Sequence, residues 1–92
     1  MQPDTEDAYE MKSKLFVFSD VVKHKNYGIK KYKHCVYKGQ IDERKRQGLG
    51  VLLYATGRIY EGEWASEKRN GRGYELYPNG ATYIGMFVDN KA

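Results

Sequence analysis

The chain repeats a short pattern at a constant spacing. The tripeptide Tyr-x-Gly begins at Tyr37, Tyr60 and Tyr83, and the distance along the chain from the first copy to the second equals that from the second to the third. We call this spacing the repeat step. Glycine and tyrosine recur on the same step in further columns: Gly48 and Gly71, Gly50 and Gly73, Tyr54 and Tyr77, Gly57 and Gly80. A fixed period of this length is typical of a repeat architecture, so we expect a row of similar units.

Each unit has the pattern of a β-hairpin. Side chains alternate along a strand, so Tyr60, Gly62 and Trp64 share one face, and Gly-x-Gly begins the return strand. Between the two strands lie charged stretches, which we predict to be hairpin loops at 42–47 and 65–70. Pro78, Asn79 and Gly80 are turn-forming residues that lead to the next unit. We therefore predict an all-β fold, an elongated antiparallel meander of β-hairpin repeats.

The combination of columns resembles the MORN repeat (membrane occupation and recognition nexus). The resemblance covers residues 37–87 and implies a twisted single sheet that serves as a binding or spacing scaffold. Members of the family are associated with membranes and with the eukaryotic cytoskeleton and cilia, and some carry a lipid kinase or methyltransferase domain. The residues that match the repeat are Tyr37, Gly39, Gly48, Gly50, Tyr54, Gly57, Tyr60, Gly62, Trp64, Gly71, Gly73, Tyr77, Gly80, Tyr83, Gly85 and Phe87.

The repeat step also divides the chain. We predict an acidic flexible tail at 1–13, a degenerate capping repeat at 14–35 with a strand at about 15–19, and a repeat array at 36–92. The repeats of the array span 37–59, 60–82 and 83–92, about two and a half clear repeats plus the degenerate one. The last is incomplete, because its Gly-x-Gly would begin at 94. Either the chain is a fragment of a longer MORN-containing enzyme, or a partner strand completes the sheet.

Glycine is costly inside a strand unless another group needs the space. We expect aromatic rings from neighbouring strands to lie over the bare glycine backbones, because each buried ring removes roughly 150–250 Å² from water. The tyrosines of the repeat then form the core.

The opposite side of the strands is also apolar. Its predicted members, a candidate partner face, are Leu49, Val51, Leu53, Tyr74 and Leu76. Three explanations stay open: the strand at 15–18 covers this face, another protein covers it, or sheet twist spoils the simple alternation.

Basic residues are concentrated in the middle of the chain, where residues 11–46 hold eleven bases and three acids. If the hairpins stack in register, one edge carries a basic stripe that can contact anionic lipid at about 1 kcal/mol per residue. The candidate contacts are Lys30, Lys31, Arg44, Lys45, Arg46, Lys68 and Arg69. The alternative is a solvated edge, since Asp42, Glu43 and Glu67 lie in the same loops. Nucleic acid is not favoured, because the stripe lacks aromatics outside the repeat pattern.

Catalytic chemistry has little support in the sequence. His24, His34 and Cys35 are the only soft metal ligands, and no fourth ligand has zinc spacing. We expect no catalytic residues, metal or cofactor. The single cysteine favours a reducing, cytoplasmic compartment, and no apolar run reaches the length of a membrane span. The expected function is a non-enzymatic scaffold, a small structural subunit of a larger eukaryotic assembly that is cytoskeletal, ciliary or membrane-associated. Its alternative is a peripheral adaptor for anionic phospholipids.

Overall fold

The computed structural model describes residues 23–92, which form six strands in one sheet. The strands are β1 (Tyr27–Lys31), β2 (Cys35–Asp42), β3 (Lys45–Tyr54), β4 (Ile59–Ala65), β5 (Lys68–Leu76) and β6 (Thr82–Phe87). Each strand pairs antiparallel with the next in the chain, and no helix occurs in this range. The prediction of an all-β antiparallel meander is therefore confirmed. The tail at 1–13 and the strand at about 15–19 lie outside the described residues.

The two predicted charged loops are much shorter than expected. The chain turns over Glu43 and Arg44, and again over Ser66 and Glu67, and all four residues have positive φ. Two such residues in succession make a tight turn that matches the twist of the flanking strands. The prediction of longer loops at 42–47 and 65–70 was wrong, because strand pairing extends into both ranges: Asp42 pairs with Lys45, and Ala65 pairs with Lys68.

The same turn occurs a third time after β6. Asp89 and Asn90 both have positive φ, and Val88 forms a bridge with Lys91. The turns therefore keep the repeat step of the sequence, even though none of them contains glycine.

Strand β1 occupies the place of a return strand. Gly28 pairs with Gly39 of β2, just as Gly50 pairs with Gly62 and Gly73 with Gly85. Two residues before Gly28, Asn26 has φ of 60°, and the glycines in the matching positions, Gly48 and Gly71, have φ of 91° and 105°. The second half of the predicted repeat at 14–35 thus follows the pattern of the later repeats.

The tyrosines of the Tyr-x-Gly motif lie against glycine backbones, as the sequence predicted. Tyr54 and Tyr77, the other tyrosines of the repeat, are half-buried. A methyl group built on Gly73 would meet Tyr60 at 2.6 Å and Phe87 at 2.9 Å, and one built on Gly50 would overlap the Tyr37 ring still more. Real Cβ atoms do not approach other groups this closely. Glycine at these positions therefore provides the space in which the neighbouring ring lies.

The rings also form a continuous ladder across the sheet. Trp64 contacts Tyr37 at 5.3 Å and Tyr60 at 5.2 Å between ring centroids, and Phe87 contacts Tyr60 at 5.0 Å and Tyr83 at 5.3 Å. All four pairs meet edge to face, the arrangement that the ring quadrupole favours by about 0.5–1.5 kcal/mol. We call this side of the sheet the aromatic face.

The opposite side, which we call the aliphatic face, forms a second cluster. It contains Val51, Leu53, Ile59, Tyr74 and Leu76, all buried, with Tyr27 packed against them. The aromatic cluster shares no residue with it. The alternation of side chains read from the sequence therefore holds in the sheet, and twist does not mix the two faces.

Replacing Gly73 with alanine tests the fit between ring and backbone. We expect Gly73→Ala to lower the free energy of unfolding by about 3 kcal/mol, because the new methyl group overlaps Tyr60 and Phe87. Gly28→Ala is the matched control, since its methyl group would meet only the flexible end of Ile41. Urea denaturation measures both variants, and equal losses would contradict the ring-over-glycine explanation.

Candidate functional site

Arg46 and Glu67 join two successive hairpin turns. The backbone N–H and Nε of Arg46 both donate to Glu67 Oε1, at 2.7 and 3.0 Å. A terminal guanidinium nitrogen donates to the Glu67 carbonyl at 2.8 Å, and the Glu67 N–H donates to the Arg46 carbonyl at 3.0 Å. Burial works to raise the pKa of Glu67, but the hydrogen bonds and charge of Arg46 outweigh it and lower that pKa.

An equivalent set of bonds joins the next two turns, one repeat step further along the chain. The Arg69 N–H donates to Asn90 Oδ1 at 2.9 Å, and its guanidinium donates to the Asn90 carbonyl at 2.7 Å. The Asn90 N–H returns a bond to the Arg69 carbonyl at 2.9 Å. We call each of these pairs a turn clasp. Sequence reasoning missed both clasps, although the spacing of Arg46 and Arg69 was a signal that could have found them.

The clasp arginines also cover the aromatic ladder. The Arg46 guanidinium lies 4.7 Å from the Trp64 ring centroid, and that of Arg69 lies 5.5 Å from Phe87. A cation over an aromatic face is attracted by about 0.5–2 kcal/mol, depending on its exposure to water. These two arginines are therefore structural, because each is held by a turn and a ring.

A buried carboxylate lies at the other end of the aromatic face. Glu75 is 1% exposed and accepts bonds from Arg58, Arg69 and Tyr77. The Arg58 guanidinium also lies 4.9 Å from the Tyr54 ring. Burial works to lower the pKa of Arg58, but its bond to Glu75 and the charge of that group outweigh it and raise the pKa. The network neutralises the buried charge and involves Tyr54 and Tyr77 of the repeat.

Tyr37 and Tyr60 cannot act as acids or bases near neutral pH. Burial raises the pKa of Tyr37 and of Tyr60 far above the ordinary value, and each hydroxyl donates to a backbone carbonyl. Within residues 23–92, no group of three or more His, Cys, Asp or Glu side chains is placed to hold a metal ion. No helix in this same range has the length and apolar character to span a bilayer.

The predicted basic stripe divides into two groups. Arg46 and Arg69 are held in the clasps, and Lys30 reaches the Arg44 carbonyl and lies 3.7 Å from Glu67. The remaining members are exposed: Lys31, Arg44, Lys45 and Lys68. Three of these lie at or beside the first two turns, at one end of the sheet. Any contact with an anionic surface would therefore depend on this smaller set.

The predicted partner face is mostly occupied within the chain. Val51, Leu53, Tyr74 and Leu76 are buried, and Leu49 is half-buried. A partner that uses these side chains would first have to expose them. Ile84 and Met86, both 58% exposed, are the accessible large apolar residues on the same face of β6.

The outer edge of β6 is the most open apolar part of the described chain. Only the bridge from Val88 to Lys91 lies beside its end, and no strand within residues 23–92 pairs along it. Ile84 and Met86 line a shallow depression of about 200 Å³ together with Arg72 and the backbone of two glycines. Tyr83, the last ring of the ladder, is half-buried, whereas Tyr37 and Tyr60 are fully buried.

Comparison with known families identifies the repeat. The model of the MORN repeat matches residues 37–57 and 60–82, two adjacent repeats that correspond to β2–β3 and β4–β5. A search of curated proteins finds no significant match.

Comparing the two clasps tests whether the charge of Glu67 stabilises the fold beyond its hydrogen bonds, because only the Arg46–Glu67 clasp contains a carboxylate. Since the pKa of Glu67 is lowered in the folded chain, its ionised form stabilises the fold above pH 4.5, its ordinary value. That contribution is lost as the pH falls from there through the lower folded pKa. Glu67→Ala should therefore cost about 1 kcal/mol at pH 7 and progressively less toward pH 3.

Asn90→Ala is the control for this experiment, because Asn90 makes the matching bonds without a titrating group. Its cost should be the same at both pH values, as measured by urea denaturation. A cost of Glu67→Ala that does not change with pH would contradict the role of its charge.

Proposed function

The chain belongs to the MORN-repeat family, whose members include protein-interaction and membrane-binding proteins, and from this premise we propose that it is a non-enzymatic protein-interaction scaffold. We place it as a small structural subunit of a larger eukaryotic assembly in the cytoplasm, cytoskeletal, ciliary or membrane-associated. Its partners in this proposal are other proteins. The proposal involves no catalytic residue and no cofactor.

The observation that supports this proposal best is the edge of β6. Exposed sheet edges offer unpaired backbone groups, and proteins normally cover or blunt them. This edge instead carries Ile84 and Met86 side by side on one face, both 58% exposed, with Val88 following at 64%. An apolar edge of this kind is suited to receive a partner.

Site-specific photo-crosslinking tests the proposal in cells. A photoreactive residue placed at Ile84 should yield one discrete crosslinked protein, and the same residue at Thr56 should not, since Thr56 lies in the turn between β3 and β4 and away from the β6 edge. The added substitution Met86→Asp should reduce the crosslink at Ile84 several-fold, because a charge at the apolar edge opposes docking. No discrete product at Ile84, or equal products at both positions, would contradict a partner at β6.

The exposed bases support a second candidate function. Arg44, Lys45 and Lys68 lie at or beside two turns at the same end of the sheet, and no ion pair holds them within the described residues. Each base near an anionic bilayer contributes about 1 kcal/mol. This alternative is a peripheral adaptor for anionic phospholipids or phosphoinositides.

Liposome co-sedimentation separates the two functions. A lipid adaptor should bind vesicles with phosphoinositide, and Arg44→Gln with Lys45→Gln should weaken this about thirtyfold. Arg46 is left unchanged because it holds a clasp and covers Trp64. The matched control, Lys33→Gln with Thr56→Glu, removes the same net charge at the opposite end of the sheet and should bind normally. No binding at physiological salt, where charges are screened over ~8 Å, would exclude the lipid function.

A further inference from the structure

Two of the four asparagines in the chain are followed directly by glycine, at positions 70–71 and 79–80. The other two precede a tyrosine and a lysine, whose side chains obstruct the approach of their backbone nitrogen to the asparagine carboxamide. Glycine has no Cβ and leaves that approach open, so an Asn-Gly dipeptide is prone to spontaneous loss of ammonia. The structure places the two dipeptides in very different surroundings.

Asn79 lies in the turn between β5 and β6, with its carboxamide against the backbone that follows it. The Ala81 N–H donates to Asn79 Oδ1 at 2.9 Å. This bond holds the carboxamide carbon close to the nitrogen of Gly80, which lies between the two residues, and it polarises the carbonyl for attack. Asn79 and Gly80 are exposed, and no described atom beyond the chain neighbours lies within 4 Å of a methyl group built on Gly80. The space in which a ring could close is therefore open to water.

Asn70 lies inside β5, which pairs with β4 on one side and with β6 on the other. It is half-buried, and the following Gly71 pairs with Phe87 of β6. The Glu63 carboxylate occupies the position that a methyl group on Gly71 would take. Ring closure at Asn70 would require β5 to open, and paired central strands open at a higher free energy than exposed turns.

We propose that Asn79 is a site of spontaneous deamidation and isoaspartate formation, and that the sheet protects Asn70. The Gly80 nitrogen loses its proton to water and forms a bond to Asn79 Cγ. The bond from Cγ to Nδ2 breaks, and the nitrogen leaves as ammonia with a proton from water. A second water then opens the succinimide ring, either at the new bond to give aspartate or at the main-chain bond to give isoaspartate. No electrons are transferred, and water is the only co-reactant.

One hydrogen bond in the turn opposes this reaction. The Gly80 N–H donates to the Tyr77 carbonyl at 2.9 Å, so its nitrogen attacks only after the turn has opened. The turn is an exposed segment between two strands, and such segments open locally at low cost. The reaction at Asn79 is therefore slower than in the unfolded chain but faster than at Asn70.

Isoaspartate would change the geometry of this turn. It adds one main-chain carbon to a connection that has φ of 91° at Gly80 and leads into the pair of Leu76 with Thr82. The lengthened connection no longer matches that pairing, so β6 is held less firmly against β5. The inference does not depend on the proposed function, because the reaction needs only the turn and water.

The turn between β3 and β4 supplies matched variants. It contains the same backbone bond, since the Gly57 N–H donates to the Tyr54 carbonyl at 3.0 Å, and Thr56 stands in the place of Asn79. Asn79→Thr therefore removes the carboxamide and puts in its place a residue that the same turn already accepts. Thr56→Asn creates a new Asn-Gly dipeptide in an exposed turn of the same form.

Peptide mapping by mass spectrometry tests the inference on the folded 92-residue protein during incubation at neutral pH. We expect deamidation at Asn79 to be faster than at Asn70 by about tenfold or more, and to accelerate as the pH is raised, because the nitrogen attacks in its deprotonated form. Asn79→Thr should abolish the reaction at this turn while urea denaturation of the protein stays unchanged. Thr56→Asn should produce a second site of deamidation.

The chain in guanidinium chloride is the control for the role of the fold, since both dipeptides should then react at similar rates. Deamidation of Asn70 as fast as that of Asn79 in the folded protein would overturn the inference. So would an unreactive Asn79 in the folded protein under conditions in which the denatured chain reacts. A folded Thr56→Asn variant that does not deamidate at the new site would overturn the role given to the turn.

Discussion

The fold depends on the contact between a tyrosine ring and a glycine backbone. Each buried tyrosine needs bare backbone beneath it on its own strand and on the next, so one contact determines two sequence positions and the pairing between them. A slip of one residue would move every ring to the wrong face. The same contact therefore buries apolar ring surface and specifies the register of the strands. Its recurrence at every repeat step explains why so small a chain forms six paired strands in its described part.

Polar groups on the aromatic face are organised around the same rings. The clasp arginines stack on Trp64 and Phe87 while they tie one turn to the next. Glu75 is buried on this face and forms ion pairs with Arg58 and Arg69. Buried charges are tolerated when they are paired and hydrogen-bonded, and here the pairing links neighbouring repeats. Two kinds of interaction thus hold neighbouring repeats together. One is the set of contacts between aromatic rings, and the other is the set of hydrogen bonds and ion pairs among the polar groups on the same face.

The sequence predicted the strand order, the two apolar faces and the role of the glycines, because these follow from spacing and alternation alone. It did not predict the short turns. A tight turn is usually recognised in a sequence by its glycine, and Glu43 and Arg44 adopt positive φ without one. The sequence therefore predicted that this segment was part of a longer loop. Nor did it separate the bases by role. In the sequence, Arg46 and Arg44 are two basic residues of the same charged stretch. Only the fold shows that Arg46 binds the next turn while Arg44 faces solvent.

The position of the single tryptophan has a consequence for how the molecule opens. Trp64 touches rings from two repeats, and each strand packs mainly on its sequence neighbours. In such an array, units near an end unfold locally at lower cost than units in the middle. Fraying of β6 removes Phe87 and Tyr83 from the ladder but leaves both partners of Trp64 in place. The indole fluorescence of this protein therefore reports the state of the array's centre, and the ends can open and close without changing it.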